Sequence, residues 1–267
     1  MYLDHVALAT RDAGPPLALL VGELGATVLS GGLAIGYRPM QVHVGDGDSG
    51  MKVELLEPWR TEENDFLARF VDRHGQGPHH LTFKVDDLEA MLARVEQAGL
   101  TAVGIDLSSP VWMEAFLQPR DAHGTVVQLA ESSVPGKSPL DDYAYVETQG
   151  ARLMEGEGGE QWWPDTPPRA SERSYLRRIV MATPDLAATT SFFTDLLEGT
   201  ERARGQSPDG QDWIDLVWAG GSCIRLEELA GAQGDRPARI DRLEVEGPGQ
   251  ARELDIAGAR VVVSPAS

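Results

Sequence analysis

The sequence predicts an α+β fold, with paired βαβββ modules forming curved mixed sheets and a second, degenerate domain of the same type. Three features predict it. Four short strands with period-two alternation each lead into a helix-start signal. Apolar residues at helical spacing follow, and polar side chains interrupt the strands at nearly the same offset in successive modules.

LDHVALATRD (Leu3–Asp12) opens the first module and HHLTFKVDDL (His79–Leu88) the second. LRRIVMATPDL (Leu176–Leu186) opens the third and DRLEVEGPG (Asp241–Gly249) the fourth. Alternation puts His5, Ala7 and Ala9 on one face of the first strand and Val6, Leu8 and Thr10 on the other. In the second strand His80, Thr82 and Lys84 oppose Leu81, Phe83 and Val85, so His80 takes the place of His5 and His79 falls on the opposite face. The helix that follows is the clearest of the chain. Asp87 is its N-cap, Leu88, Met91, Leu92, Val95 and Ala98 form its apolar side, and Gly99 stops it. Pro184-Asp185 opens a helix in the third module, with Leu186, Phe193 and Leu197 on its face and Gly199 at its end. Pro15-Pro16 opens one in the first, followed by Leu17, Leu20, Leu24 and Gly25. YRPMQVHV and MKVELLEP read as antiparallel strands joined by GDGDSG, with EAFLQP and TVVQLAE as further strands of module two.

Residues 1–131 are therefore expected to form one domain of two modules, and 175–267 a degenerate, truncated domain of the same kind. Between them, 132–174 has the Pro, Gly and acidic content of a linker. Trp162 and Trp163 within it point to packing against a domain.

Composition bounds the partners. The chain carries 23 Lys+Arg against 42 Asp+Glu, a formal charge of −19, which argues against nucleic acid or an anionic membrane surface. No apolar run approaches the roughly 18–20 residues of a membrane helix. The start MYLDHVALATRD lacks the basic segment of a signal peptide, and the single cysteine, Cys223, fits a reducing compartment, so a cytoplasmic location is expected.

The spacing of interrupting polar residues points to a site. His5 to Glu54 is an offset of 49 and His80 to Gln128 one of 48. Two modules facing each other in a curved sheet would bring these four side chains together, and two imidazoles, a carboxylate and an amide oxygen suit a divalent metal: Zn, Co, Ni, Mn or Fe. In the second half the offset of 47 from Arg178 to Arg225 sets arginines at the positions of His5 and Glu54. Arg242 falls at the position of His80, and a fourth partner would fall near residue 290. These arginines either clamp a carboxylate or phosphate or pair with the many acids.

LDHVALA, KVELLEP, GPHHLTFKVDDLEA and FLQPRDAHGTVVQL, which together span residues 3–131, resemble the vicinal oxygen chelate superfamily. This is the glyoxalase, bleomycin-resistance and extradiol-dioxygenase group, and the resemblance within it is to methylmalonyl-CoA epimerases. It implies that His5, Glu54, His80 and Gln128 occupy the metal-ligand positions. It also exposes two departures. Gln128 stands where the epimerases have a glutamate that serves as base, and an amide cannot accept a proton at useful pH. The strand region before KVELLEP, LSGGLAIGYRPMQVHVG, has no acid before Asp46.

The resemblance implies a small-molecule substrate and three readings. The first is a metal-dependent isomerase or lyase that moves a proton next to a carbonyl of a small or acyl-thioester substrate, with Glu54 as the single base and Gln41 and His123 contacting substrate. The second is a non-haem Fe(II) ring-cleaving dioxygenase built on His5, His80 and Glu54. The third is a resistance-type binding protein without catalysis. A homodimer is one way to cover the edge that a truncated second sheet would leave.

Overall fold

The computed structural model of the chain describes residues 1–47, 49–109, 111–132, 139–154, 162, 165–229 and 237–266; Asp48 of the GDGDSG turn and Trp163 lie outside them. The first strand, β1 (Tyr2–Ala9), leads into α1 (Gly14–Gly22) and then β2 (Thr27–Gly32), β3 (Tyr37–Asp46) and β4 (Ser49–Pro58). After α2 (Phe66–His74) come β5 (Gly77–Lys84), α3 (Leu88–Gln97), β6 (Ala102–Asp106), β7 (Met113–Leu117) and β8 (Val126–Glu131). Among the described residues of the linker lie α4 (Pro139–Gln149) and β9 (Arg152–Met154). The last part runs β10 (Tyr175–Thr183), α5 (Leu186–Ser191), a π-helical turn (Phe192–Leu196), β11 (Thr200–Gln206), β12 (Asp212–Val217), β13 (Cys223–Glu228), β14 (Arg239–Gly247), β15 (Arg252–Ile256) and β16 (Ala259–Pro265).

The strands form two mixed sheets, as the alternation predicts. One has the order β6-β7-β8-β5-β1-β4-β3-β2-β9, the other β11-β12-β13-β10-β14-β16-β15. Each module repeats one pattern: its first strand pairs in parallel with its last, as β1 does with β4, β5 with β8, β10 with β13 and β14 with β16. Parallel neighbours need a crossover, and α1, α3 and α5 supply it. Asp87 and Asp185 cap α3 and α5 as expected, accepting from the amides of Ala90 (2.8 Å) and Ala188 (2.9 Å). No helix among the described residues is long and apolar enough to cross a membrane.

Contacts gather the chain into two compact units that do not follow chain order. One takes His5–His79, Leu140–Arg177 and Leu243–Ser267. Its core sets Leu8, Leu20, Leu24, Val44 and Val53 against Leu243, Val245, Ile256 and Val261. The other takes Met1–Asp4, His80–Pro139 and Arg178–Arg242. There Phe83, Phe193 and Trp218 pack edge to face or tilted at 5.3–6.3 Å between ring centroids, and Trp218 donates to the Leu197 carbonyl (2.6 Å). The halves expected as separate domains thus each contribute to both units.

Three features depart from the sequence reading. The first is α2, whose buried Leu67 and Val71 cover Ala7, Ala9 and Leu56 on one end of the β1–β4 face. The second is that the linker contains structure. Buried Asp142 and Tyr143 of α4 dock on the opposite end of that face, with Asp142 Oδ2 2.6 Å from Lys52 Nζ and the Tyr143 ring 4.9 Å from His43. Farther on, β9 extends the sheet beside β2, and Trp162 stacks on the Arg38 guanidinium at 4.4 Å, as the packing expectation required. The third concerns the last module, which is compressed rather than cut: β14 passes to β15 without a helix. With Leu243 opposite Val261, the counterpart of Gln128 is Val262 and not a residue near 290.

Two outcomes are expected. Lys52→Met removes the 2.6 Å partner of the buried Asp142 carboxylate and should cost about 3 kcal/mol in denaturant unfolding, most of it recovered in Lys52→Met/Asp142→Leu. Burial, reinforced by Asp215, pushes the Cys223 thiol up to about 11, so the native protein should resist a thiol-specific disulfide reagent at pH 8 and react with it once denatured.

Candidate metal centre

The face of β4 that carries Glu54 is read off the register. Glu54 lies opposite Ala7 on β1 and opposite Gln41 on β3, while Lys52 lies opposite His5 and His43. One face of three adjacent strands therefore shows His5, Ala7 and Ala9, then Lys52, Glu54 and Leu56, then Gln41 and His43. With α2 over the Ala9–Leu56 end and α4 over the Lys52–His43 end, Glu54 sits in the stretch between two covered ends.

A carboxylate there needs compensation. His5 Nε2 stands 3.3 Å from Glu54 Oε2, and Gln41 Nε2 donates to Glu54 Oε1 at 3.0 Å. Ser30 Oγ donates in turn to Gln41 Oε1 at 3.4 Å, which orients the amide. Burial alone would raise the Glu54 carboxyl. The His5 charge and the hydrogen bonds from His5 and Gln41 overcome it, with Lys52 adding to them, and hold the group below the usual carboxylate range.

His80 is the third member. One ligand atom from each of His5, Glu54 and His80 lies within 4.8 Å of the others, and all three residues are buried. The donor set fits a divalent ion: two imidazoles, once neutral, and a carboxylate are the ligands such a metal takes. The 3.3 Å between His5 and Glu54 is also the spacing of two donors about 2.0–2.1 Å from one tetrahedral ion. His79 goes elsewhere, as alternation predicts. Its ring lies 4.5 Å from Phe70 and 6.3 Å from Phe66 of α2, and burial pushes its imidazole down to about 4 against the pull of Glu54.

Gln128 lies opposite Thr82, two residues beyond His80 on the same face of β5. Its amide is held at both ends: Thr82 Oγ1 donates to Oε1 at 2.6 Å, and Nε2 donates to Glu114 Oε2 at 2.6 Å. The same Glu114 oxygen accepts from Trp112 Nε1 at 2.8 Å. Glu114 was missed in the sequence. The signal was available, since Glu114 and Phe116 alternate with buried Ala115 and Leu117 on β7, and Phe116 lies opposite Gln128. The expected substrate contact His123 stands with the third module instead, its Nδ1 3.1 Å from Thr189 Oγ1 and its ring 5.1 Å from Phe192. Gln41 is spent on orienting Glu54.

Comparisons with known proteins agree with the module pattern. Residues 4–108 match the family described as the Glyoxalase/Bleomycin resistance protein/Dioxygenase superfamily. Residues 4–108 are thus similar to this superfamily. Among curated proteins, the ethylmalonyl-CoA/methylmalonyl-CoA epimerase of Cereibacter sphaeroides is 28% identical over 136 residues, covering 48% of this chain and 96% of that protein. Among solved structures, methylmalonyl-CoA epimerase from Mycobacterium tuberculosis is 27% identical over 49% of this chain and 87% of its own, with a TM-score of 0.44. A hypothetical protein from Staphylococcus aureus covers 99% of both chains at 12% identity with a TM-score of 0.61, so the two-sheet fold is shared with it.

Glu114 accounts for the amide at position 128. A second carboxylate there would face Glu114 at hydrogen-bond distance, and two such groups cannot both stay ionised. Gln128→Glu should therefore raise the proton affinity of the pair. Native protein then binds more protons than unfolded, so the variant should lose about 2 kcal/mol at pH 8 and recover as pH falls to 5. Urea titrations at the two pH values check it; a loss independent of pH would show that the carboxylates avoid each other.

Proposed function

We propose that this chain is a divalent-metal-dependent enzyme that transfers a proton at the carbon next to a carbonyl, as an isomerase or lyase, on a small or acyl-thioester substrate. The observation that carries the proposal is the convergence of His5, Glu54 and His80 within 4.8 Å on buried strand faces. The acyl-thioester preference rests on the epimerase relative at 28% identity.

In this reading His5, Glu54 and His80 hold the ion. When bound, a divalent metal supplies Lewis-acid stabilisation for the oxygen of an enolate formed by loss of the neighbouring proton. Gln41 keeps one Glu54 oxygen oriented. Glu54, ionised by its neighbours, is the residue able to accept and return a proton. Thr82 and Glu114 fix the Gln128 amide with its oxygen on the Thr82 side. Apolar cover from α2 keeps water away from one end of the face.

Two histidines with one carboxylate also make the donor set of non-haem Fe(II) oxygenases, which supports ring-cleaving dioxygenase chemistry as the second reading. Elemental analysis of protein purified without an affinity tag, alongside His80→Ala, separates the cases. Near-stoichiometric metal that the variant lacks is the expected result. Zinc, cobalt, nickel or manganese, with solvent-deuterium exchange into an acyl thioester, supports proton transfer, while iron with catechol-dependent O₂ uptake supports the second reading. Absence of metal from both proteins, and no uptake on titration, would remove the catalytic proposal.

A further inference from the structure

The second module repeats the frame of the first with different side chains on its outer strands. In the first, one row across the sheet runs Ala7, Glu54, Gln41 and Ser30, each opposite the next. The same row in the second, across β5, β8, β7 and β6, runs Thr82, Gln128, Phe116 and Val103. Residues opposite one another share a face, and Thr82 lies two residues beyond His80, so this row adjoins a ligand of the proposed metal centre. Gln41 and Ser30, the outer pair of the first row, are polar and serve Glu54. Phe116 and Val103, the outer pair of the second, are apolar.

The second row opens to solvent as it leaves His80. Thr82 is fully buried, Gln128 is 6% exposed, Phe116 is partly buried and Val103 is 37% exposed. At the matching outer position Ser30 is 3% exposed and β9 pairs with its strand, whereas β6 is a sheet edge. Ala115 and Leu117, the neighbours of Phe116, point to the opposite face and fill the core there. Strand β6 is shaped around the Phe116 ring. It bulges between Val103 and Asp106, Gly104 takes φ +59 within the bulge, and a Cβ on Gly104 would come 3.2 Å from Phe116 Cδ2. Charge limits what the row can hold. Its four side chains are neutral, and the adjoining row of Lys84, Ala130, Glu114 and Asp106 is acidic at its outer end, which disfavours an anionic group beside Phe116 and Val103.

We propose that Phe116 and Val103 form a subsite for an uncharged apolar tail of the substrate. Strands β5 and β7 are two spacings apart, roughly 9–10 Å, which is the extended reach of about seven or eight carbons. The substrate class is therefore a carbonyl compound with a hydrocarbon chain or ring of about that length, its tail directed from the His80 strand toward Val103. An acyl thioester would lay its acyl chain, not an anionic carrier, on this row. The proposal rests on the proton-transfer reading for the chemistry at the inner end of the tail.

Isothermal titration of the full chain, with one equivalent of zinc, against hexanoate, heptanoate and octanoate tests it. The comparison proteins are Phe116→Ala, Val103→Asp and, as control, Ile35→Asp, which changes an exposed apolar residue between β2 and β3. The expected result is one octanoate per chain, with affinity rising by up to about fourfold per methylene. Both subsite variants should flatten that rise and the control should keep it. Val103 is exposed on an edge strand, so Val103→Asp should melt with the wild type and carries the test if Phe116→Ala does not fold. No saturable binding of octanoate by about 10 mM, or a rise that Val103→Asp leaves intact, overturns the proposal. So does a dimer in sedimentation velocity that Val103→Asp dissociates without altering octanoate binding, since a second copy would then occupy the patch. Solvent-deuterium exchange into propionyl and octanoyl thioesters keeps the two readings apart. Exchange at equal rates in both removes the subsite and leaves the reaction standing. A chain-length rise in binding, with exchange into neither, leaves the subsite standing and removes the reaction.

Discussion

A buried carboxylate stays ionised only while donors and positive charge replace the water it has lost, and Glu54 is the group around which the first module is arranged. His5 reaches it from β1 and Gln41 from β3, because both strands border β4 with a register that puts all three on one face. The helices serve the same end: α2 seals one end of that face with apolar side chains, and α4 seals the other with a buried Asp142–Lys52 pair. Solvent is limited around Glu54, so its interactions with His5 and Gln41 are stronger than the same contacts would be at a surface.

One frame carries different side chains. The parallel pairing of first and last strand recurs in all four modules, and what differs is the residue at each register position. In the first module the positions hold His5, Glu54 and Gln41, a donor set for a cation. In the third they hold Arg178, Arg225 and Asp215, an ion-paired set. The second module inverts the first in a subtler way. There the last strand carries the amide, Gln128, and the strand beside it the carboxylate, Glu114. In both pairs one carboxylate meets one amide, which satisfies the hydrogen bonds without setting two like charges side by side.

Much of this was legible. Alternation assigned His5 and His80 to equivalent faces and sent His79 to the other, and the caps Asp87 and Asp185 were readable from residue type alone. The π-helical turn at Phe192–Leu196 falls within the segment read as one helix, so apolar spacing located the element without resolving its winding. Glu114 was overlooked because its importance depends on Gln128, a residue of another strand. In the linker, Pro, Gly and acidic residues outweighed a weak apolar pattern, so α4 was missed. Asp142 reads as a surface acid until Lys52 is seen beneath it.

By itself the sequence determined local periodicity: which residues share a face, where helices begin, and which offsets repeat from module to module. These depend on neighbours a few positions apart and survive without knowledge of the rest of the chain. Only the tertiary structure decided which strands pair and in what register, and hence that Gln41 serves Glu54, that Glu114 serves Gln128 and that three arginines meet on Asp215. Charge interactions act through space and fall with distance, so their partners are set by strand pairing between residues far apart in the chain, and alternation along one strand carries no information about that.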